Sequence, residues 1–174
     1  MVSRALILLA ALGLAALALA PAHAQPAGDL VPMQGEWTGT LTYNDYSRPG
    51  RLVTLPTTLF AALASPTELT LHFVYDDGPG KTVYGYERLR LQPDGAALVW
   101  AGSGARPFER SYTVVSARQE RDLRQIVFER AVDSKKDRYT LEIGATTFSL
   151  RKEEIDGAAA AVFRNEYQLR RRGR

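Results

Sequence analysis

The chain has 174 residues, 22 Lys and Arg against 19 Asp and Glu, a formal net charge of +3 and no cysteine. The missing thiols exclude disulfides, thiolate catalysis, zinc–thiolate sites and iron–sulfur clusters. The charge gives no nucleic-acid footprint: Arg170, Arg171, Arg172 and Arg174 crowd the C-terminus, and without them and Arg4 the 17 remaining basic residues face 19 acidic ones. In chain order, residues 1–24 read as a cleavable signal peptide. Arg4 supplies a positive charge, Ala5 to Ala20 form an apolar run, and Ala22-His23-Ala24 fits signal peptidase cleavage after Ala24. The run is shorter than the roughly 20 apolar residues of a spanning helix, so no transmembrane segment is expected after cleavage. The product is expected in the periplasm or outside the cell. It comprises a lead-in over 25–34, one domain over 35–170 and a basic tail over 171–174.

From Gly35 the pattern has a period of two, with turn residues at short intervals and no long amphipathic helix. The predicted strands are Gly35–Tyr46, Arg51–Leu59, Glu68–Tyr75, Thr82–Leu91, Ala97–Ala101, Phe108–Val115, Leu123–Ala131, Tyr139–Ile143, Thr146–Lys152 and Phe163–Arg170. The stretch through Ala64, Ser65 and Pro66 is left open to a helical turn. Hairpin-length connections imply antiparallel neighbours, and closure removes exposed edges. The expected fold is all-β: a single antiparallel up-and-down β-barrel of about 8–10 strands.

Gly35-Glu36-Trp37 resembles the G-x-W at the first strand of lipocalins and of the wider calycin superfamily, and the ending "FRNEYQLRRR" is similar to the closing strand of such barrels. Avidin-like barrels, which also begin on a G-x-W-type strand, are the weaker match. The resemblance implies that Gly35 and Trp37 are structural, that Trp37 sits at a closed floor, and that Arg164 or Arg170 packs on it. The lipocalin cysteines are absent here.

Alternation then assigns faces. Trp37, Gly39, Leu41, Tyr43 and Asp45 point inward in the first strand. Val83, Gly85, Glu87, Leu89 and Leu91 follow, then Phe108, Arg110, Tyr112 and Val114, and finally Phe163, Asn165, Tyr167 and Leu169. Tyr84, Tyr86, Arg88 and Arg90 point outward. Arg110-x-Tyr112 resembles the carboxylate clamp of fatty-acid-binding proteins, in which a guanidinium fork and a phenol bind one carboxylate. Its alternatives are an internal pair with Glu87 or Asp45, or an exposed Arg110.

Other motifs carry less. Gly78-Pro79-Gly80-Lys81-Thr82 lacks the earlier glycine of a phosphate-binding loop and precedes a strand. His72 is the one histidine after cleavage and reads as an ordinary strand residue; a barrel holding haem through one histidine, as nitrobindin-like proteins do, is the alternative it leaves open. Asp76-Asp77 and Glu153-Glu154 read as solvated turns, not as acid/base dyads or metal ligands. No catalytic residue, metal or cofactor is assigned, and no enzyme is expected. The leading expectation is a barrel that binds a small, mainly apolar, carboxylate-bearing ligand through Arg110, Tyr112, Tyr43, Tyr167 and Glu87. The second is a filled barrel that meets a protein or envelope component through Tyr84, Tyr86, Arg88 and Arg90. Weak envelope contact through the arginine tail accompanies either.

Overall fold

Alternating apolar residues and short turns build a sheet that closes on itself. The structure, a computed structural model, describes residues 29–173 apart from Pro49, so the expected signal peptide lies outside the described residues. A short 3-10 helix, Val31–Met33, leads into ten strands: β1 Gly35–Asn44, β2 Leu52–Ser65, β3 Glu68–Asp76, β4 Thr82–Leu91, β5 Ala97–Ser103, β6 Phe108–Glu120, β7 Leu123–Val132, β8 Lys135–Ile143, β9 Thr147–Asp156 and β10 Val162–Arg171. Each pairs antiparallel with its sequence neighbours, and β1 pairs with β10 to close an up-and-down barrel. No described helix is long and apolar enough to cross a membrane.

The period of two sets the interior. In β3, Leu69, Leu71 and Phe73 are buried while Thr70 is exposed. Three irregularities interrupt the alternation. In β6 the register shifts between Val114 and Ser116, so that Val115 is exposed and Ala117 returns to the core. In β10 it shifts between Phe163 and Asn165, with Arg164 as the extra residue. Phe163 therefore faces outward, contrary to the simple alternation, and the Arg151 guanidinium lies 5.2 Å from its ring centroid. A bulge between Leu63 and Ser65 also carries β2 past Ala64, where a helical turn was open.

One end of the barrel is sealed. Trp37, Leu30 and Met33 are almost fully buried there, and the Trp37 indole N–H donates to the Met33 carbonyl at 2.8 Å. The arginine on Trp37 is Arg171, not Arg164 or Arg170. Arg171 is the Cα partner of Trp37 across β1 and β10, so both face the same side, whereas Arg170 is on the opposite side of the strand. The Arg171 guanidinium lies 4.0 Å from the indole centroid and donates to the carbonyls of Ala145 (2.9 Å), Gln34 (2.5 Å) and Pro32 (2.8 Å). Gly35 makes room for it: its φ is +136°, and a Cβ there would lie 2.6 Å from Arg171 Nη1. Arg164, displaced by the bulge, pairs with Glu154 at 2.8 Å. The basic tail is thus largely committed, since Arg171 is in β10 and Arg172 pairs with Glu36 at 2.5 Å.

Three charge-assisted hydrogen bonds and a cation–π contact, on a side chain partly open to water, set the expected loss. Arg171→Ala lowers stability by about 2–4 kcal/mol, and Arg164→Ala, which removes a half-buried ion pair, by less than about 1 kcal/mol. Urea denaturation of the two variants measures the difference. Equal losses would show that the clamp on Trp37 does not hold the floor.

Candidate functional site

Polar groups inside a barrel are costly unless they are paired or reach water, and here they gather toward the end opposite Trp37. That end is the mouth, where the β1–β2, β3–β4, β5–β6, β7–β8 and β9–β10 turns lie. The middle of the barrel is filled by rings: Phe128 and Tyr139 stack at 5.2 Å, and Trp100 and Tyr112 meet Tyr139 at 5.2 and 5.4 Å. Above them a cavity of about 160 Å³ is lined by Glu87, Trp100, Phe108, Arg110, Tyr112, Tyr139, Asn165 and Tyr167. At ~30 Å³ per water it has room for about five waters. It is well below the ~300–1,000 Å³ typical of drug-sized sites, so a long apolar chain does not fit.

Four of the five ligand residues expected from sequence, Arg110, Tyr112, Tyr167 and Glu87, line this cavity; Tyr43 does not. Tyr43 lies across from Val53 and Asn165 on the neighbouring strands. Asp45 is not an interior charge either: its Oδ1 accepts from the Ser47 amide (2.9 Å) and hydroxyl (2.6 Å) in the β1–β2 turn. Those bonds hold its carboxyl below the usual carboxylate range.

Glu87 and Arg110 face the same space without an ion pair between them. The Trp100 indole N–H donates to Glu87 Oε2 at 2.7 Å. Burial pushes the Glu87 carboxyl above its ordinary value, with the indole hydrogen bond acting the other way. Arg110, at the rim, lays its guanidinium 4.8 Å from the Phe108 ring centroid. The ion pair recorded on its strand runs from Glu109 to Arg88, leaving Arg110 without a carboxylate partner among the described residues. The place of that stack depends on Gly102, which pairs with Phe108 across β5 and β6; a Cβ on Gly102 would overlap the Phe108 ring. The Tyr75 and Tyr167 hydroxyls bond each other at 2.8 Å. Burial raises both phenols, and Tyr139, well above the usual range, so all three are neutral, one hydroxyl of the Tyr75–Tyr167 pair donating to the other.

Sequence reasoning missed a second polar group beside the cavity. Asp137, buried, pairs with Lys152 at 3.0 Å and Arg130 at 3.4 Å. The two cations also approach the rings of Tyr139 (5.6 Å) and Tyr112 (5.9 Å). The signal was the alternation Asp137, Tyr139, Leu141, Ile143, hidden because the expected strand began only at Tyr139, whereas β8 begins at Lys135. Glu153 and Glu154, also expected in a turn, belong to β9 and pair with Arg151 (3.0 Å) and with Lys135 (2.7 Å) and Arg164.

On the outer face, Tyr84, Tyr86, Arg88 and Arg90 are exposed, as alternation requires. His72 stacks on Tyr86 at 4.4 Å and approaches Phe60 and Tyr84 at 5.9 Å. It therefore cannot serve as an axial ligand inside the barrel, which has no other histidine among the described residues. An open groove of about 510 Å³ runs along this face past Phe60, Thr70, His72, Tyr86 and Arg88.

No protein-family model matches the chain, and no curated protein matches it in sequence. Among solved structures, the crystal structure of Rv2717c from M. tuberculosis superposes with a TM-score of 0.60 at 14% identity, covering 83% of this chain and 95% of that one. The likeness establishes a shared barrel architecture and carries no ligand with it.

The raised Glu87 carboxyl fixes a pH dependence. The folded state holds its proton to higher pH than the unfolded chain, so Glu87 costs stability as pH rises from the ordinary glutamate range to its folded value. Glu87→Gln, which keeps an acceptor for Trp100, is expected to gain on the wild type across that window, by at most about 1.4 kcal/mol per pH unit. Urea denaturation over a pH series checks it; parallel curves would place the Glu87 carboxyl in water.

Proposed function

We propose that the protein is an exported, calycin-like, non-catalytic barrel that binds a small molecule in the cavity at its mouth. The observation that carries this reading is the union of Arg110, Tyr112, Glu87, Trp100 and Tyr167 around one space of about 160 Å³. A barrel needing only a core has no use for a half-buried Glu87 carboxyl without an ion-pair partner, and the exposed Arg110 guanidinium stands beside it at the rim, uncommitted to any carboxylate among the described residues. Arg110 supplies a planar fork for an acceptor group, and Tyr112 and Tyr167 add phenols on aromatic walls. The volume limits the ligand to a compact compound with little apolar length. The export pattern at residues 1–24 supports a periplasmic or secreted setting.

The groove of about 510 Å³ over Phe60, His72, Tyr86 and Arg88 favours a second reading, in which the filled middle of the barrel is structural and the outer face meets a protein or envelope component. Exposed Tyr and Arg are the residue types enriched at binding hot spots.

Native mass spectrometry of the protein purified from an exporting host separates the two. The cavity reading expects a discrete extra mass that denaturation releases and that Arg110→Ala lowers at least tenfold in occupancy without loss of fold. A ligand-free wild type, with a partner whose capture fails in Tyr86→Ala and Arg88→Ala, would move the function to the outer face.

A further inference from the structure

The charges around the cavity are specific enough to name a class of ligand. Glu87 and Arg110 line the same space. Glu87 has the Trp100 indole as its hydrogen-bond partner and no cation in ion-pair contact among the described residues, and Arg110 has the Phe108 ring and no carboxylate. The other interior charges are satisfied elsewhere, Asp137 taking both Lys152 and Arg130. The cavity therefore presents a half-buried acid without a cation and, at its water-exposed rim, a base without a carboxylate. A simple carboxylate on Arg110 would set a second negative charge beside Glu87, and a simple cation on Glu87 would leave Arg110 unanswered. A molecule carrying both charges answers both.

The aromatic walls narrow the class. Trp100 and Tyr167 line the cavity with no cation recorded over their rings, and an ammonium is attracted to such faces. Trp100 already occupies Glu87 Oε2, and the Tyr167 hydroxyl is engaged with Tyr75. Glu87 Oε1 and Asn165 remain as acceptors, but the aromatic walls favour a methylated ammonium, whose charge is spread over its methyl groups and needs no N–H acceptor. We infer that the mouth cavity receives a small betaine-like zwitterion, its methylated ammonium between Glu87, Trp100 and Tyr167 and its carboxylate on Arg110. The inference rests on the cavity being a ligand site. The burial that raises the Glu87 carboxyl agrees with it, since a cation docked there restores the ionised form.

Three probes of matched shape test it. Glycine betaine carries both charges, 3,3-dimethylbutanoate replaces its nitrogen with carbon, and tetramethylammonium lacks the carboxylate. Calorimetric titration of the exported protein is expected to show betaine binding at least tenfold tighter than either single-charge probe. Glu87→Gln is expected to erase the preference for betaine over 3,3-dimethylbutanoate, weakening the first and strengthening the second by removing the like charge beside its carboxylate. Arg110→Gln should erase the preference over tetramethylammonium, with circular dichroism confirming that both variants fold. Equal affinity for betaine and 3,3-dimethylbutanoate, unchanged in Glu87→Gln, would overturn the zwitterion and keep the cavity as a site for small carboxylates. Failure of all three probes overturns the zwitterion as well; a mass released from the native protein would then uphold the cavity as a binding site, and its absence would remove that reading too.

Discussion

The contact between Arg171 and Trp37 joins the two ends of the described chain, and closure of the sheet converges on it. The last residue of β10 lies directly opposite Trp37 of β1, and its guanidinium reaches carbonyls of the lead-in and of the β8–β9 turn as well as the indole face. A flat sheet of ten strands would expose two edges; pairing β1 with β10 removes both. Sealing the floor with Leu30, Met33 and Trp37 has a further consequence. With these side chains closing the floor, interior polar groups reach water most readily at the other end.

That constraint explains the layering. Next to the floor the inward residues are Leu59, Leu69, Ile126, Ile143 and Phe148, and the aromatic tier of Phe128, Tyr139, Tyr112 and Trp100 lies above them. Charged side chains begin where the rings end. Within them a division holds. Asp137 sits between two cations and is deeply buried, an arrangement in which removing one partner is costly and binding is not required. Glu87 and Arg110 lack such partners and border empty space. The first group is a paired interior cluster, whereas the second leaves an unpaired carboxyl and a rim guanidinium facing open space.

Most of this architecture was legible because alternation and turn chemistry are local. β4 falls on its expected bounds, Thr82–Leu91, and the inward placing of Glu87, Arg110, Tyr112 and Tyr167 follows from counting by twos. Counting fails where one extra residue enters a strand. The bulge at Arg164 turned Phe163 outward, and no pattern in "VFRNEY" marks it, because the bulge answers to pairing with β9. The choice of Arg171 over Arg170 likewise depends on the register between β1 and β10, a relation between distant segments. Asp45 was misplaced because the strand ends at Asn44 and the side chain binds its own turn. The size of the cavity was out of reach, since it depends on how four rings from different strands fill one cross-section.

The site's specificity then lies in packing as much as in its charged groups. Arg110 is an exposed, flexible side chain at a rim, where a guanidinium ordinarily samples many rotamers at a cost of about 2 kcal/mol to fix. Here it rests on Phe108, and Phe108 rests in the gap left by Gly102. Three residues on two paired strands thus hold the fork toward the mouth, while Trp100, one turn of the pleat deeper on the same strand as Gly102, anchors Glu87. The same short segment of β5 places both charges, one through a missing side chain and one through an indole. A barrel of this architecture at 14% identity need not preserve either feature. The chemistry of the mouth cavity is therefore set by a few side chains of β4, β5, β6 and β10, and the fold supplies only the frame that holds them between a sealed floor and an open mouth.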